Sequence, residues 1–486
     1  MISLITKVES AKVLIVPFVK NDNLAKDLLT RSKAIGYEVE ELDDSFKADK
    51  GEILIVATPG KSYKRMVFVG LGENPNGTQI IEVFRSLFYK NKKKWKGQIV
   101  VDTKSVSNYS EYFANGLALS EYEIGALKTR EEADETIFTN GTEFSFLITA
   151  NQEDKIRNAV DKGLKMADSQ RSILYLVDAP ANYKTPEMMA NYIVMSGKKH
   201  GYQVTVWDEK ECEEEGFHAL VAVGKGSVES PCRMVMMEYN PSEPSTKTIG
   251  LVGKGVTFDT GGVSLKPGEG MQYMKSDMGG SAAVIGAVEM AAKLGLKTRV
   301  VGLVALTENC VDSLAIKPGD VINSYSGRTI EIINTDAEGR LILADAVHYM
   351  ATQIEPTVMI DLATLTGSCI RTLGYAAAGL MTQNDKLADN LYKVGQETGE
   401  KLWRLPLWDD YKSMMDSDIA DIKNLSTAPL AGATTAGKFI EFFTHNHPNW
   451  AHLDIAGTAF GNTDYGKDKS ATAFGIRLLT EFISKY

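Results

Sequence analysis

Strand-length apolar runs alternate with stretches of helical apolar spacing along nearly the whole chain, and that alternation restricts it to an α/β layer fold. In the first 150 residues, strands are expected at 12–19, 52–58, 66–70, 98–102 and 144–150, and helical spacing at 82–89 and 112–119. Residues 152–178 keep an unbroken polar–apolar period that Pro180 should interrupt, which predicts a connecting helix. Thr185-Pro186-Glu187 then offers a cap, a proline for the first helical position and an acid for the first turn. Further strands are expected at 204–207, 234–238, 248–252, 298–306, 329–333, 358–362 and 451–455, and helices at 281–294, 341–353, 386–398 and 434–443. A length of 486 residues exceeds one typical domain. The expected division is a smaller N-terminal α/β domain at 1–151, the connecting helix at 152–178, and a larger C-terminal α/β domain at 179–486. The larger domain should have a central mixed, mostly parallel sheet flanked by helices.

Composition narrows the function classes. A formal charge of -10 argues against nucleic acid as a partner, because that binding draws on Lys and Arg neutralising phosphates. The basic run Lys90-Asn-Lys-Lys-Lys-Trp-Lys96 reads as a solvated helix end or loop. Cys212, Cys232, Cys310 and Cys369 are widely spaced with no CxxC pair, which fits a reducing compartment and neither a zinc knuckle nor a disulfide framework. The N-terminal apolar run is only strand length and contains Pro17, so no signal peptide is read there. No stretch approaches the roughly 20 apolar residues that span a bilayer. The expectation is a cytoplasmic protein without a membrane partner.

Two stretches depart from what folding alone would ask for. The first is Gly253-Lys-Gly-Val-Thr-Phe-Asp-Thr-Gly-Gly-Val-Ser-Leu-Lys-Pro-Gly268, continuing to Met274-Lys-Ser-Asp-Met-Gly-Gly280; the second is Asn334-Thr-Asp-Ala-Glu-Gly-Arg-Leu341. Both follow expected strands and precede expected helices, the place where open α/β sheets bind ligands. Their glycines permit tight turns and close backbone approach. Lys254 is expected in a glycine-flanked turn just after its strand. A lone Asp in such a loop is ordinarily a cap or turn residue. Here four acids gather: Asp259, Asp277, Asp336 and Glu338. Were they to converge, each pair about 5 Å apart would repel by roughly 3 kcal/mol at an effective dielectric near 20. Two divalent cations would neutralise them, which favours a metal site over an unassisted carboxylate dyad.

These residues resemble a known family. Asn334 to Leu341 matches the signature octapeptide of the leucyl aminopeptidase, or cytosolic aminopeptidase, family of two-metal peptidases, and the first stretch resembles that family's other metal segment. Val223-Gly-Lys-Gly-Ser227, Asp361-Leu-Ala-Thr-Leu-Thr-Gly367 and Trp450-Ala-His-Leu-Asp-Ile-Ala-Gly457 look like further landmarks, dense from about Asp178 onward. The resemblance implies one metal on Lys254, Asp259, Asp277 and Glu338, and a second on Asp259, Asp336 and Glu338. Lys266 would polarise the scissile carbonyl, and Arg340 would hold bicarbonate or assist a bridging water. It further implies short peptide substrates with a free N-terminus and a homohexamer. Met274, residues 364–367, Ala456 and Ala459 resemble the walls of the pocket for the first side chain.

The chemistry agrees with those roles. A lysine ligand must be neutral, so its ordinary pKa near 10.4 must fall by about 3 units. An oxygen-rich set with one amine and no His or Cys suits Mn or Zn, with Mg or Co as further candidates. Of the histidines, His445 and His447 read as surface positions and His452 as a core residue. Competing readings are another two-metal hydrolase such as a phosphoesterase, a narrow dipeptidase acting on cysteinylglycine, a phosphate-cradling module, and a non-catalytic binding protein on the same fold. Phosphoesterase sites commonly include His, which neither stretch supplies; the phosphate cradle needs GxxxxGK[ST], which is absent. A binding protein would show its role by a lost ligand, and none is lost.

Overall fold

The computed structural model describes residues 2–21, 23–35, 45–129, 138–463, 465–466 and 468–486. The chain divides into two compact units, Met1–Arg171 and Ser172–Tyr486, and the division falls within the long helix Glu153–Asp178.

The first unit is built on six strands: β1 (Ile2–Ile5), β2 (Ala11–Phe18), β3 (Ile53–Ala57), β4 (Tyr63–Gly70), β5 (Gly97–Asp102) and β6 (Thr142–Leu147). Their order is β1-β6-β5-β2-β4-β3, and only β3 runs antiparallel to its neighbour. The inner strand β2 is buried along almost its whole length, as a parallel strand covered on both faces must be, and so reads as a continuous apolar run. Helix Gly77–Asn91 begins at a reciprocal cap between Asn76 and Gln79 and packs Phe84 against Phe113 of helix Ser110–Leu119. The four-residue β1 is too short to have been expected from pattern.

The second unit begins with β7 (Gln203–Trp207), β8 (Arg233–Tyr239), β9 (Thr248–Asp259) and β10 (Arg299–Asn309). Short strands β11 (Val321–Asn323) and β12 (Thr329–Glu331) precede β13 (Val358–Ala363), β14 (Ala378–Met381), β15 (Leu402–Arg404), β16 (Ile422–Lys423) and β17 (Trp450–Asp454). The main sheet has the order β15-β14-β17-β13-β9-β10-β8-β7. Its centre, β17-β13-β9-β10, is parallel, and antiparallel pairings occur only outside that centre. The fold is thus α/β with a mixed, mostly parallel sheet. β11, β12 and β16 form a three-stranded sheet, and β18 (Phe460–Asn462) and β19 (Lys469–Ala471) a hairpin pair. Among the described residues no helix is long and apolar enough to cross a membrane.

One expectation needs correction because it moves the site. Lys254 and Asp259 do not lie in a turn after a strand ending at 252; β9 runs on through both to Asp259. The glycines there serve packing. A Cβ at Gly253 would stand 2.6 Å from Ser281 Cα, so glycine lets helix Gly279–Leu294 lie directly on the strand.

Candidate metal centre

The close approach of that helix decides where Asp277 falls. Asp277 immediately precedes it and is buried beside β9, its Oδ2 2.7 Å from the Lys254 amine. The segment after β12 arrives from the other side. Glu338 caps helix Gly339–Tyr349 and sets Oε1 3.0 Å from the same amine. Glycine at 339 leaves room for that amine, since a Cβ there would lie 2.6 Å from Lys254 Nζ and displace it. Lys254 Nζ also donates to the Thr364 carbonyl at 3.0 Å, at the end of β13. Two helix starts and one strand end therefore converge on one lysine.

Asp259, at the end of β9, stands 2.7 Å from Lys266 Nζ, and the same amine contacts Asp336. The loops carrying Lys266 and Asp336 are stapled together. Thr335 Oγ1 donates to Gly261 O at 2.6 Å and accepts from Ser264 N at 2.8 Å, while Ser264 Oγ accepts from Thr335 N at 3.1 Å. Carboxylate oxygens of Asp259, Asp336 and Glu338 all lie within 4.8 Å of one another. Arg340, buried, donates Nη1 to Asn424 O at 2.8 Å, and its Nε has no hydrogen-bond partner among the described residues. All seven residues singled out from sequence line one cavity of about 700 Å³.

Charge is unbalanced in this cluster: four carboxylates face two ammonium groups. Burial alone would lower the pKa of Lys254, yet Asp277, Glu338 and Asp259 outweigh it and hold it well above the ordinary range. Lys266 is raised in the same way against burial, by Asp259, Glu338 and Asp336. The acids shift against their own ion pairs. Burial and the neighbouring Asp259 push Glu338 up to about 8; burial, despite Lys254, holds Asp277 at about 6; and burial with Asp259 raises Asp336. Both directions hold because each lysine meets several acids, whereas each acid meets burial and the other acids. Burial lowers Arg340 to about 10. Carboxylates this crowded and reluctant to ionise are a donor set that divalent cations satisfy.

The sign of the pH dependence follows. The folded state retains protons on Glu338 and Asp277 that the unfolded chain releases at the ordinary values of 4.5 and 3.8. Stability of metal-free protein should therefore fall as pH rises from about 4.5 to about 8, and Mn affinity should climb over the same window as proton competition fades. Urea unfolding and Mn titration at pH 5, 6.5 and 8 check this; stability that increases across the window contradicts it.

Two partners, Asn309 and Asn424, carried no sequence signal. Asn309 is the register neighbour of Asp259 on β10, and its buried Nδ2 donates to Asp259 Oδ1 at 2.9 Å and Thr335 O at 3.0 Å, with Glu338 Oε2 at 3.4 Å. Asn309→Ala is expected to weaken Mn binding tenfold or more, about the cost of losing a group that orients a ligand, as read by competition with a chelating dye. Unaltered affinity would reduce Asn309 to a packing role. Asn424 donates to Asn334 O at 2.7 Å and accepts from Ile333 N at 2.8 Å, which fixes the Asp336 loop. Asp454 accepts from Leu365 N and Thr366 N and, at 2.7 Å, from Thr366 Oγ1, shaping the cavity wall after β13. Met274, residues 364–367 and Ala456 line the cavity as expected. Ala459 does not; it is buried behind the wall, against the start of helix Gly279–Leu294. His452 is a core residue, its Nδ1 2.5 Å from Asp361 Oδ1.

Comparison with known proteins gives the family. The sequence profile of the cytosol aminopeptidase family's catalytic domain matches residues 173–480, and that of its N-terminal domain residues 15–131. A probable cytosol aminopeptidase of Chlorobium limicola is 41% identical, over 98% of this chain and 97% of its own length. One from Rickettsia typhi is 39% identical over 91% and 90%. Among solved structures, the bottromycin maturation enzyme BotP in complex with Mn superposes with a TM-score of 0.81 at 28% identity, covering 98% of this chain and 99% of BotP. The chain belongs to the cytosol aminopeptidase family.

Proposed function

We propose that the chain is a leucyl-aminopeptidase-type, two-metal enzyme that releases single, often apolar, N-terminal residues from short peptides. The observation that carries this reading is the convergence of Asp259, Asp336 and Glu338 oxygens within 4.8 Å, beside a buried lysine. Lys254, Asp259, Asp277 and Glu338 would hold one ion, and Asp259, Asp336 and Glu338 the other, with Asp259 and Glu338 shared. Mn, which BotP binds, and Zn are the ions proposed, with Mg and Co as weaker candidates. When bound, such a pair supplies a water that ionises near neutral pH and a Lewis acid for the scissile carbonyl.

This chain's own residues would do the rest. Lys254 has to give up its proton to act as a ligand, and cations on the carboxylates would reverse the field that now raises its pKa. Lys266, released from Asp259 and Asp336, would turn its ammonium to the carbonyl oxygen and stabilise the charge that develops there. Asp277, held by Thr364 Oγ1 at 2.8 Å, would orient the free amine of the substrate. The unpartnered Nε of Arg340 is where bicarbonate would be held. Met274, Thr364 and Ala456, which line the cavity, would wall the space for the first side chain. A narrower dipeptidase acting on cysteinylglycine would use the same groups, and a substrate panel separates it.

Removal of metal by a chelator, followed by Mn titration, is the test. Turnover of leucinamide should return in proportion to metal bound and saturate at two equivalents per chain. Saturation at one would refute the paired site. A homohexamer is also proposed, from resemblance alone, and a monomeric sedimentation profile would contradict it. A cytoplasmic location rests on the family's description and on four free cysteines.

A further inference from the structure

The cavity that holds the acids is polarised. Its floor is formed by buried Lys254, Asp259, Asp277 and Glu338, whereas Arg371 and Tyr375 at its mouth are exposed and Lys469 is half-buried. Lys469 is held in place. Its amine lies 5.7 Å from the ring centre of Tyr273, 5.4 Å from that of Tyr375 and 3.4 Å from the Tyr375 hydroxyl. Tyr273 in turn packs on Phe460, and β19, which carries Lys469, is anchored where Ala471 N donates to Asp178 Oδ1 at 2.9 Å. The guanidinium of Arg371 points back along its own helix, Nη1 3.5 Å from where a Cβ on Gly367 would be. Neither cation has a carboxylate within ion-pair distance among the described residues, although Glu269 shares the cavity lining. A lysine fixed between two rings yet lacking an anion is preorganised to receive one.

We propose that Lys469, assisted by Arg371, binds the C-terminal carboxylate of a di- or tripeptide whose amino end lies among the buried acids. This deepens the aminopeptidase reading and rests on it. A short peptide is a zwitterion with its charges about 7 Å apart in an extended dipeptide. A cavity with acids at its floor and cations at its mouth matches that order of charges. C-terminal amides lack that anion, and each further residue carries it roughly 3.5 Å farther from the amino end. The rim thus selects small peptides by charge, whatever their first side chain.

The test compares leucylglycine with leucylglycinamide, and leucylglycylglycine with its amide, on Mn-loaded protein. The wild type should prefer the free acids in kcat/KM. Lys469→Gln should reduce that preference about tenfold, mainly through KM, the size expected for one lost charge-assisted hydrogen bond. Lys469→Arg should restore most of the preference, and Arg371→Gln should lose less than Lys469→Gln. A preference unchanged in Lys469→Gln overturns the rim while leaving the aminopeptidase reading intact. If neither peptide is cleaved and leucinamide is also inert, both fall.

Discussion

Asp336→Ala is expected to lower kcat/KM for leucinamide by about a thousandfold and to leave one Mn equivalent per chain in place of two. The size follows from the several kcal/mol that a catalytic metal contributes to stabilising the transition state, at about 1.4 kcal/mol per tenfold. Asp336 belongs to only one of the two proposed ligand sets, whereas Asp259 and Glu338 belong to both, so its loss isolates one ion. The fold should survive. Asp336 is exposed, its backbone is held by Asn334 Oδ1 at 2.7 Å, and the loop stays anchored through Thr335 and Asn424. Circular dichroism and elemental analysis on the same sample separate metal loss from unfolding. Unchanged turnover would mean that the acids gather for another reason.

Lys254→Met should destabilise the metal-free protein by about 3 kcal/mol at pH 8, the scale for removing one partner of a buried charge cluster. Lys254 is only 3% exposed and faces Asp277 and Glu338 directly. Methionine fills much of the same volume, so the cost is mainly electrostatic. At pH 5 it should shrink, because both acids, already raised by burial, then take up protons and no longer need the ammonium. Urea unfolding at the two pH values reads the difference. An equal loss at both would assign the effect to packing alone. The variant should also bind less than two Mn equivalents.

What could be read from sequence depended on how local the signal was. The alternation of strands and helices is local, and it located most elements of both units. The four acids and two lysines were legible because charged residues amid glycines and apolar runs have little reason to be there for folding. Their proposed roles came only through the resemblance, led by the octapeptide at 334–341, since no spacing rule brings Asp277 to Asp336. The end of β9 was misplaced because glycines at 253 and 255 resemble a turn, when Gly253 in fact admits a helix against the strand and Gly255 makes room for Leu306 of β10. Asn309 and Asn424 gave no signal, for a neutral amide in a loop or at a strand end is unremarkable until its three acceptors are known. Ala459 was placed on the cavity wall by the resemblance; only packing shows that its methyl faces Gly279.

These residues are proposed to assemble a metal site that requires a free amino terminus on its substrate. Leucinamide and N-acetyl-leucinamide, each offered to chelated and to Mn-reconstituted protein, test it most directly. Hydrolysis of leucinamide alone, and only after metal is restored, is the expected result. Equal turnover of the acetylated substrate, or undiminished turnover after chelation, would contradict it.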